Sequence, residues 1–191
     1  MAKVNFRNVR YVTSYLKKEE RPFDKKKDVI FLGKSNVGKS SLINSLVSQK
    51  IAYSSKKAGK TQLLNYFLVD NRFYIVDAPG YGYTSYGTKK DEVFSEMMES
   101  YFVDNLNLAG ACLLVDARRG ILESEENMIN YLLELQIPTL IIYTKCDLVG
   151  QKEMNLAKKE AALFKNVPVY YSDKNKDYDD LRKLLVTTFH L

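Results

Sequence analysis

The chain has 191 residues, 46% hydrophobic and 27% charged. That length suits one domain with a short extension, and the composition excludes a disordered tail, a collagen-like chain and a repeat array. Twenty-nine lysines and arginines against 23 aspartates and glutamates leave a net charge of +6, which permits a polyanionic partner without demanding one.

Residues 1–27 hold a candidate strand, Arg10–Tyr15, and two charged stretches, Lys17-Lys18-Glu19-Glu20-Arg21 and Lys25-Lys26-Lys27. They read as an extension packed on the edge of a domain formed by 28–191. Val29–Leu32 is apolar and closes on Gly33, the pattern of a buried strand. Lys39–Val47 places Leu42, Ile43 and Leu46 on one helical face. Leu64–Val69 and Arg72–Val76 are strand-like runs, and Asp70-Asn71 between them predicts an antiparallel hairpin. Lys90–Asn105 has helical spacing, Ala111–Val115 is a strand, and Glu125–Leu135 is a helix. Leu140–Tyr143 and Val167–Tyr171 are strands, with a helix over Lys152–Phe164 between them. Tyr178–Phe189 is the last helix, with Asp177 as its expected cap.

Strands alternating with helices imply right-handed βαβ crossovers. The predicted fold class is therefore α/β: a mostly parallel six-stranded sheet with one antiparallel strand and helices on both faces. In such sheets ligands bind at the carboxyl ends of strands. Cys112 and Cys146 form no ladder of spacings for disulfides or a metal cage, and the single histidine, His190, makes histidine triads and histidine-rich zinc sites improbable. Met1–Arg10 lacks the apolar core of a signal peptide, and no apolar run is long enough to span a bilayer, so a cytoplasmic location is expected.

Gly33-Lys34-Ser35-Asn36-Val37-Gly38-Lys39-Ser40 fits the G-x-x-x-x-G-K-[ST] phosphate loop at every fixed position. Its glycines let backbone N–H groups turn inward around phosphate oxygens, and the following helix points its positive end at the same anion. Lys39 would reach the β- and γ-phosphates, and the Ser40 hydroxyl would ligate magnesium. Asp77-Ala78-Pro79-Gly80 follows the next strand. The Asp77 carboxylate can hold magnesium through water, and the Gly80 N–H can approach a γ-phosphate.

Thr144-Lys145-Cys146-Asp147 follows a later strand. Guanine presents N1–H and an exocyclic amine as parallel donors, and the Asp147 carboxylate can accept both. Adenine lacks that pair and would leave Asp147 unpaired, a costly mismatch. The Lys145 stem would pack over the base. Tyr171, Ser172 and Asp173 close the last strand, where backbone can meet the guanine carbonyl.

In this order the motifs resemble a Ras-like G domain of the P-loop NTPases, in the translation-factor-related class. More narrowly, Gly33–Ser40 with Ser41-Leu42-Ile43-Asn44, then Gly59-Lys60-Thr61-Gln62 with Leu63 and Asn65, then Asp77-Ala78-Pro79-Gly80-Tyr81-Gly82-Tyr83, then Val115-Asp116-Ala117-Arg118, resemble the EngB (YihA/YsxC) family of bacterial GTP-binding proteins. The resemblance covers roughly residues 10 to 189. It implies a magnesium-dependent GTPase that serves large ribosomal subunit assembly and is linked to cell division and septation. It implies that Thr61 is the switch threonine and joins Ser40 on magnesium, with Lys39, Thr61 and Gly80 carrying catalysis. Ser172-Asp173 departs from the small-residue pair common after that strand.

Many GTPases place a water-orienting glutamine just after D-x-x-G; here Tyr81 stands there. Slow intrinsic hydrolysis, accelerated by a partner or an ion, is expected. Related GTPases with an asparagine at the position of Asn36 ligate potassium with it; the alternative is a plain loop residue. Gln49–Leu64 and Tyr81–Lys90 are the expected switches, and Tyr81, Tyr83 and Tyr86 face either a partner or their own neighbours. Lys25–Lys27, Lys56-Lys57, Lys89-Lys90 and Arg118-Arg119 either meet ribosomal RNA phosphates or are solvated faces. Asp116 with Arg118 reads as an internal pair supporting a loop. A monomer is the default. Two rival functions stay open: a nucleotide-gated scaffold with negligible turnover, and a small-molecule kinase, against which Asp147 argues.

Overall fold

The computed structural model describes residues 3–15, 21–22, 24–53, 63–81, 89–103 and 105–191. Its strands are β1 (Val9–Tyr15), β2 (Lys27–Gly33), β3 (Leu64–Val69), β4 (Phe73–Asp77), β5 (Leu108–Asp116), β6 (Thr139–Thr144) and β7 (Val169–Tyr171). The helices among the described residues are α1 (Lys39–Val47), α2 (Lys89–Phe102), α3 (Glu123–Glu134), α4 (Gln151–Ala161) and α5 (Asp179–Phe189), with a short 3-10 turn over Cys146–Leu148. The strands form one sheet in the order β1-β3-β4-β2-β5-β6-β7. Only β3 runs against its neighbours, β1 and β4; the other pairings are parallel.

Strand alternation explains the two layers. Ile30, Leu32, Leu113 and Ile141 face one side and pack with Met97, Met98 and Tyr101 of α2, Ile129 and Leu132 of α3, and Ala157 and Ala161 of α4. Their sequence neighbours Val29, Phe31, Cys112, Leu114, Leu140 and Ile142 face the other side, against Leu42, Ile43 and Leu46 of α1 and Leu181, Leu185 and Phe189 of α5. Each fully buried leucine or isoleucine contributes about 1.5–3 kcal/mol. A strand buried on both faces reads as a continuous apolar run.

The predicted fold class holds, and the seventh strand is the one anticipated in the extension. Its β1 lies on the free edge of β3, with Val4 and Phe6 ahead of it buried and Phe6 edge-on to Phe73 at 5.8 Å. The hairpin also holds. Asp70 and Asn71 have φ of 50° and 55°, the doubly left-handed turn that matches strand twist. Asp70 also accepts the Asn5 N–H at 3.0 Å and the Asn8 side-chain amide at 3.2 Å.

Several boundaries differ: β5 starts earlier, at Leu108, α4 ends earlier, at Ala161, and three other shifts bear on side-chain placement. β4 extends to Asp77, so that carboxylate ends a strand. α2 stops at Phe102 and not at Asn105, whose amide instead reaches Asp28 at 3.5 Å. β7 begins only at Val169, after Pro168, whose carbonyl accepts the Ile141 N–H. Asp177 does accept the Asp179 N–H at 2.8 Å, although Tyr178 occupies the helix boundary.

At the opposite end of the sheet from the carboxyl edge, Asp28 is buried among hydroxyls. Tyr66 and Tyr101 donate to it at 3.0 and 3.3 Å, and Tyr15 bonds Tyr66 in turn. Burial pushes its carboxyl up to about 6, against the opposing pull of these donors and of the Arg21 charge.

Candidate nucleotide site

All parallel strands end on one edge, so the loops after β2, β4, β6 and β7 converge there. Gly33–Ser40 leaves β2 and feeds α1 directly. Gly38 sits at φ 106°, a conformation that L side chains rarely adopt. The start of α1 carries no side-chain cap, so its first N–H groups remain available to an anion. Farther along α1, the Asn44 side chain fixes the exit. It accepts the Ile51 and Ala52 N–H groups at 2.8 Å each and donates to the Ala52 carbonyl at 2.7 Å. Ser41 lies exposed in the first turn.

The Lys39 ammonium pairs with the Asp77 carboxylate, and both side chains are about nine-tenths buried. A buried ammonium needs an anion, and without phosphate the nearest one is this carboxylate. Ala78 is buried behind it. Pro79 leads into Gly80, whose carbonyl accepts the Ser35 hydroxyl at 3.1 Å. The next residue forms an isolated bridge: Ser35 N–H donates to the Tyr81 carbonyl at 3.0 Å. A Cβ on Gly80 would stand 2.7–2.9 Å from Ser35, backbone included, so only glycine allows this approach.

On the other side, Thr144 Oγ1 donates to the Val37 carbonyl at 2.7 Å, and Lys145 Nζ donates to the Asn36 carbonyl at 2.7 Å. Cys146 N–H donates to the Ser172 carbonyl at 3.2 Å, and Ser172 N–H to the Tyr143 carbonyl at 2.7 Å. The Asp147 carboxylate faces the Lys174 ammonium at 3.1 Å, which holds it below the usual carboxylate range. Lys174 is a mostly exposed arm and can swing away from a base. Tyr171 stacks on Tyr143 at 5.3 Å, and Asp173 accepts the Asn175 N–H at 2.9 Å. Three of the four loops thus contact the phosphate loop directly or through one another.

Gly59, Lys60, Thr61 and Gln62 lie outside the described residues, as do Gly82, Tyr83, Tyr86 and Lys56-Lys57; Leu63 is exposed just before β3. Of the two readings of Tyr81, local packing is the observed one: its ring meets Phe94 at 5.8 Å, and its hydroxyl is buried without a hydrogen-bond partner. Among the basic runs, Lys26 pairs with Asp24, Lys27 donates to the His190 carbonyl and Arg118 pairs with Asp116, while Lys25 and Arg119 are exposed. Besides the Lys39–Asp77 pair, two contacts escaped the sequence reading. Lys34 pairs with the buried Glu125 of α3 at 3.1 Å, and Lys145 pairs with Asp116 at 2.7 Å. Neither has a spacing signal, since each joins segments far apart in the chain.

Among the described residues no group of three or more His, Cys, Asp or Glu stands together as a metal cage. The donors present are a Ser40 hydroxyl and the Asp77 carboxylate, a hard-oxygen set that suits magnesium completed by phosphate and water oxygens.

A phosphate loop tied to D-x-x-G and to T-K-x-D on one parallel edge defines a P-loop GTPase. A family model described as 50S ribosome-binding GTPase matches residues 28–145. The chain belongs to the EngB family of GTP-binding proteins. It is 38% identical over 162 residues to the probable GTP-binding protein EngB of Lactobacillus helveticus, covering 84% of this chain and 82% of that one. It is 32% identical over 188 residues to that of Kosmotoga olearia, covering 94% and 98%. In structure it resembles a probable GTP-binding protein engB (TM-score 0.66, 24% identity, 85% and 98% covered). It also resembles an Aquifex aeolicus Era variant bound to GDP·AlF4− (TM-score 0.66, 24% identity, 87% and 57% covered). No helix among the described residues is long and apolar enough to cross a membrane.

Proposed function

We propose that this GTPase is a magnesium-dependent molecular switch acting in assembly of the large ribosomal subunit, and through it in cell division and septation. The observation that carries the reading is the unbroken set of contacts from Asp77–Gly80 through the phosphate loop to Thr144–Asp147. A base, a phosphate chain and a γ-phosphate sensor are thereby served by one connected edge. The match to a family of 50S ribosome-binding GTPases supports the ribosomal partner.

In this reading Lys39 leaves Asp77 for the β- and γ-phosphate oxygens, while the first N–H groups of α1 receive the same anion. Magnesium, when bound, neutralises charge on the phosphates. Ser40 and Thr61 would be its protein ligands, and the Asp77 carboxylate would add a further oxygen toward it. Asp147 exchanges Lys174 for the guanine edge. Gly80, close against Ser35, offers its N–H to the γ-phosphate. The Tyr81 ring, turned onto Phe94, orients no water. Hydrolysis by the isolated chain is therefore slow, and a ribosomal partner or potassium at Asn36 accelerates it. Residues 1–27 form an extension on the domain of 28–191, a reading that the β1 pairing and the burial of Phe6 support. The protein works as a cytoplasmic monomer.

Co-sedimentation with large ribosomal subunits, with GDP and with a non-hydrolysable GTP analogue across a salt series, tests this. Binding that strengthens with the analogue and survives moderate salt is expected. Binding indifferent to nucleotide and lost with salt would reduce the lysines to nonspecific polyanion contacts.

A further inference from the structure

Asp116 belongs to none of the four loops. It ends β5 in register with Thr144 of β6, and its side chain is about nine-tenths buried. Oδ2 accepts Lys145 Nζ at 2.7 Å and an Arg118 guanidinium N–H at 2.7 Å. Oδ1 accepts the Arg118 Nε–H at 2.9 Å and its backbone N–H at 3.1 Å. Burial alone would raise this carboxyl, but these donors hold it far below the usual range, so it stays an anion. The same Lys145 ammonium donates to the Asn36 carbonyl at 2.7 Å.

One ammonium is thus shared between a carboxylate on β5 and a carbonyl of the phosphate loop. A neutral carbonyl is a weak anchor for a lysine, whose long arm gains rotamer freedom and hydration by leaving. The carboxylate supplies the charge that keeps it, and the two-point grip of Arg118 fixes the carboxylate in turn. We infer that Asp116 is a positioning residue: it holds Lys145 in the bridge between base loop and phosphate loop, and so sets the affinity for guanine nucleotide as a whole. This rests on the assignment of Thr144–Asp147 as the base site. The bridge reaches Asn36, not the Gly80 side of the loop. GTP and GDP therefore weaken together when it breaks, and KM rises with kcat unchanged.

A double-mutant cycle tests this on the full chain, with Asp116→Asn, Lys145→Ala and both together. GDP and a non-hydrolysable GTP analogue are titrated, and single-turnover hydrolysis is measured at saturating GTP. Asp116→Asn keeps Oδ1 as the acceptor of the Arg118 Nε–H and backbone N–H, and removes the charged Oδ2 that accepts Lys145 and a second Arg118 N–H. Each single variant should weaken both nucleotides about tenfold, the scale of a hydrogen bond to a charged group. The double variant should be no weaker than Lys145→Ala within about twofold, and the saturated rate of Asp116→Asn should stay within about twofold of wild type. Multiplying losses, or full affinity in Asp116→Asn, overturns the inference while leaving the base site standing. Full affinity in Lys145→Ala overturns the base-site assignment and the inference with it. Thermal unfolding checks each fold. Should Asp116→Asn not fold, Asp116→Glu completes the same cycle: its smaller loss must vanish when Lys145 is alanine, and a loss that persists overturns the inference.

Discussion

Replacing Asp77 by asparagine strips the Lys39 ammonium of its carboxylate while keeping the shape of the site. Both side chains are about nine-tenths buried, so the ammonium left behind has little water to turn to. Breaking one side of such a pair costs roughly 3–5 kcal/mol. For a domain of this length that is a fall in Tm on the order of 10 °C. Phosphate offers Lys39 a second anion, so the loss should be concentrated in the nucleotide-free protein. The assay is thermal unfolding of wild type and Asp77→Asn, with and without saturating GDP, magnesium withheld so that its own contact with Asp77 does not enter. The free variant should melt far below wild type, and GDP should close most of the gap. An equal deficit with and without GDP would refute the reasoning, since it would mean that Lys39 does not pass from carboxylate to phosphate.

Two further outcomes follow from the geometry. The Asp28 carboxyl titrates near 6 in the folded chain and near 4 when unfolded, so between those values the folded state binds more protons. Stability carried by this group is full below about pH 4 and is lost as pH rises through 6, by roughly 3 kcal/mol in all. Asp28→Asn should therefore gain on wild type by about that much between pH 4 and pH 7 in denaturant unfolding; a pH-independent difference contradicts the burial argument. Gly80→Ala places a Cβ against Ser35 and should cost about 1–3 kcal/mol through overpacking. It should lower affinity for a non-hydrolysable GTP analogue while GDP affinity stays within a few-fold; equal loss of both would take Gly80 away from the γ-phosphate.

Much of this architecture is written locally. The strand and helix runs, the Asp70-Asn71 turn and the four loops each depend on residues within a short window, where periodicity and glycine placement speak directly. β1 is different: its partner is β3, and the sequence offers only a strand-like run with no sign of which edge will take it. The pairs that tune the site are less legible still. Lys39 with Asp77, Lys34 with Glu125 and Lys145 with Asp116 each join segments brought together only by the parallel crossovers. Tyr81 shows the same limit. Its place after D-x-x-G is visible in sequence, but the turn of its ring onto Phe94 depends on how α2 packs.

The central claim is that Asp147 reads guanine through its amine and N1–H, and the most direct measurement is a base swap. Wild type and Asp147→Asn would each be titrated with GDP and with xanthosine diphosphate. Xanthine carries a carbonyl where guanine has its amine, and an asparagine amide can donate to it. Asp147→Asn should lose guanine affinity and gain xanthine affinity, reversing the preference. An unchanged preference would place the base elsewhere, away from Asp147.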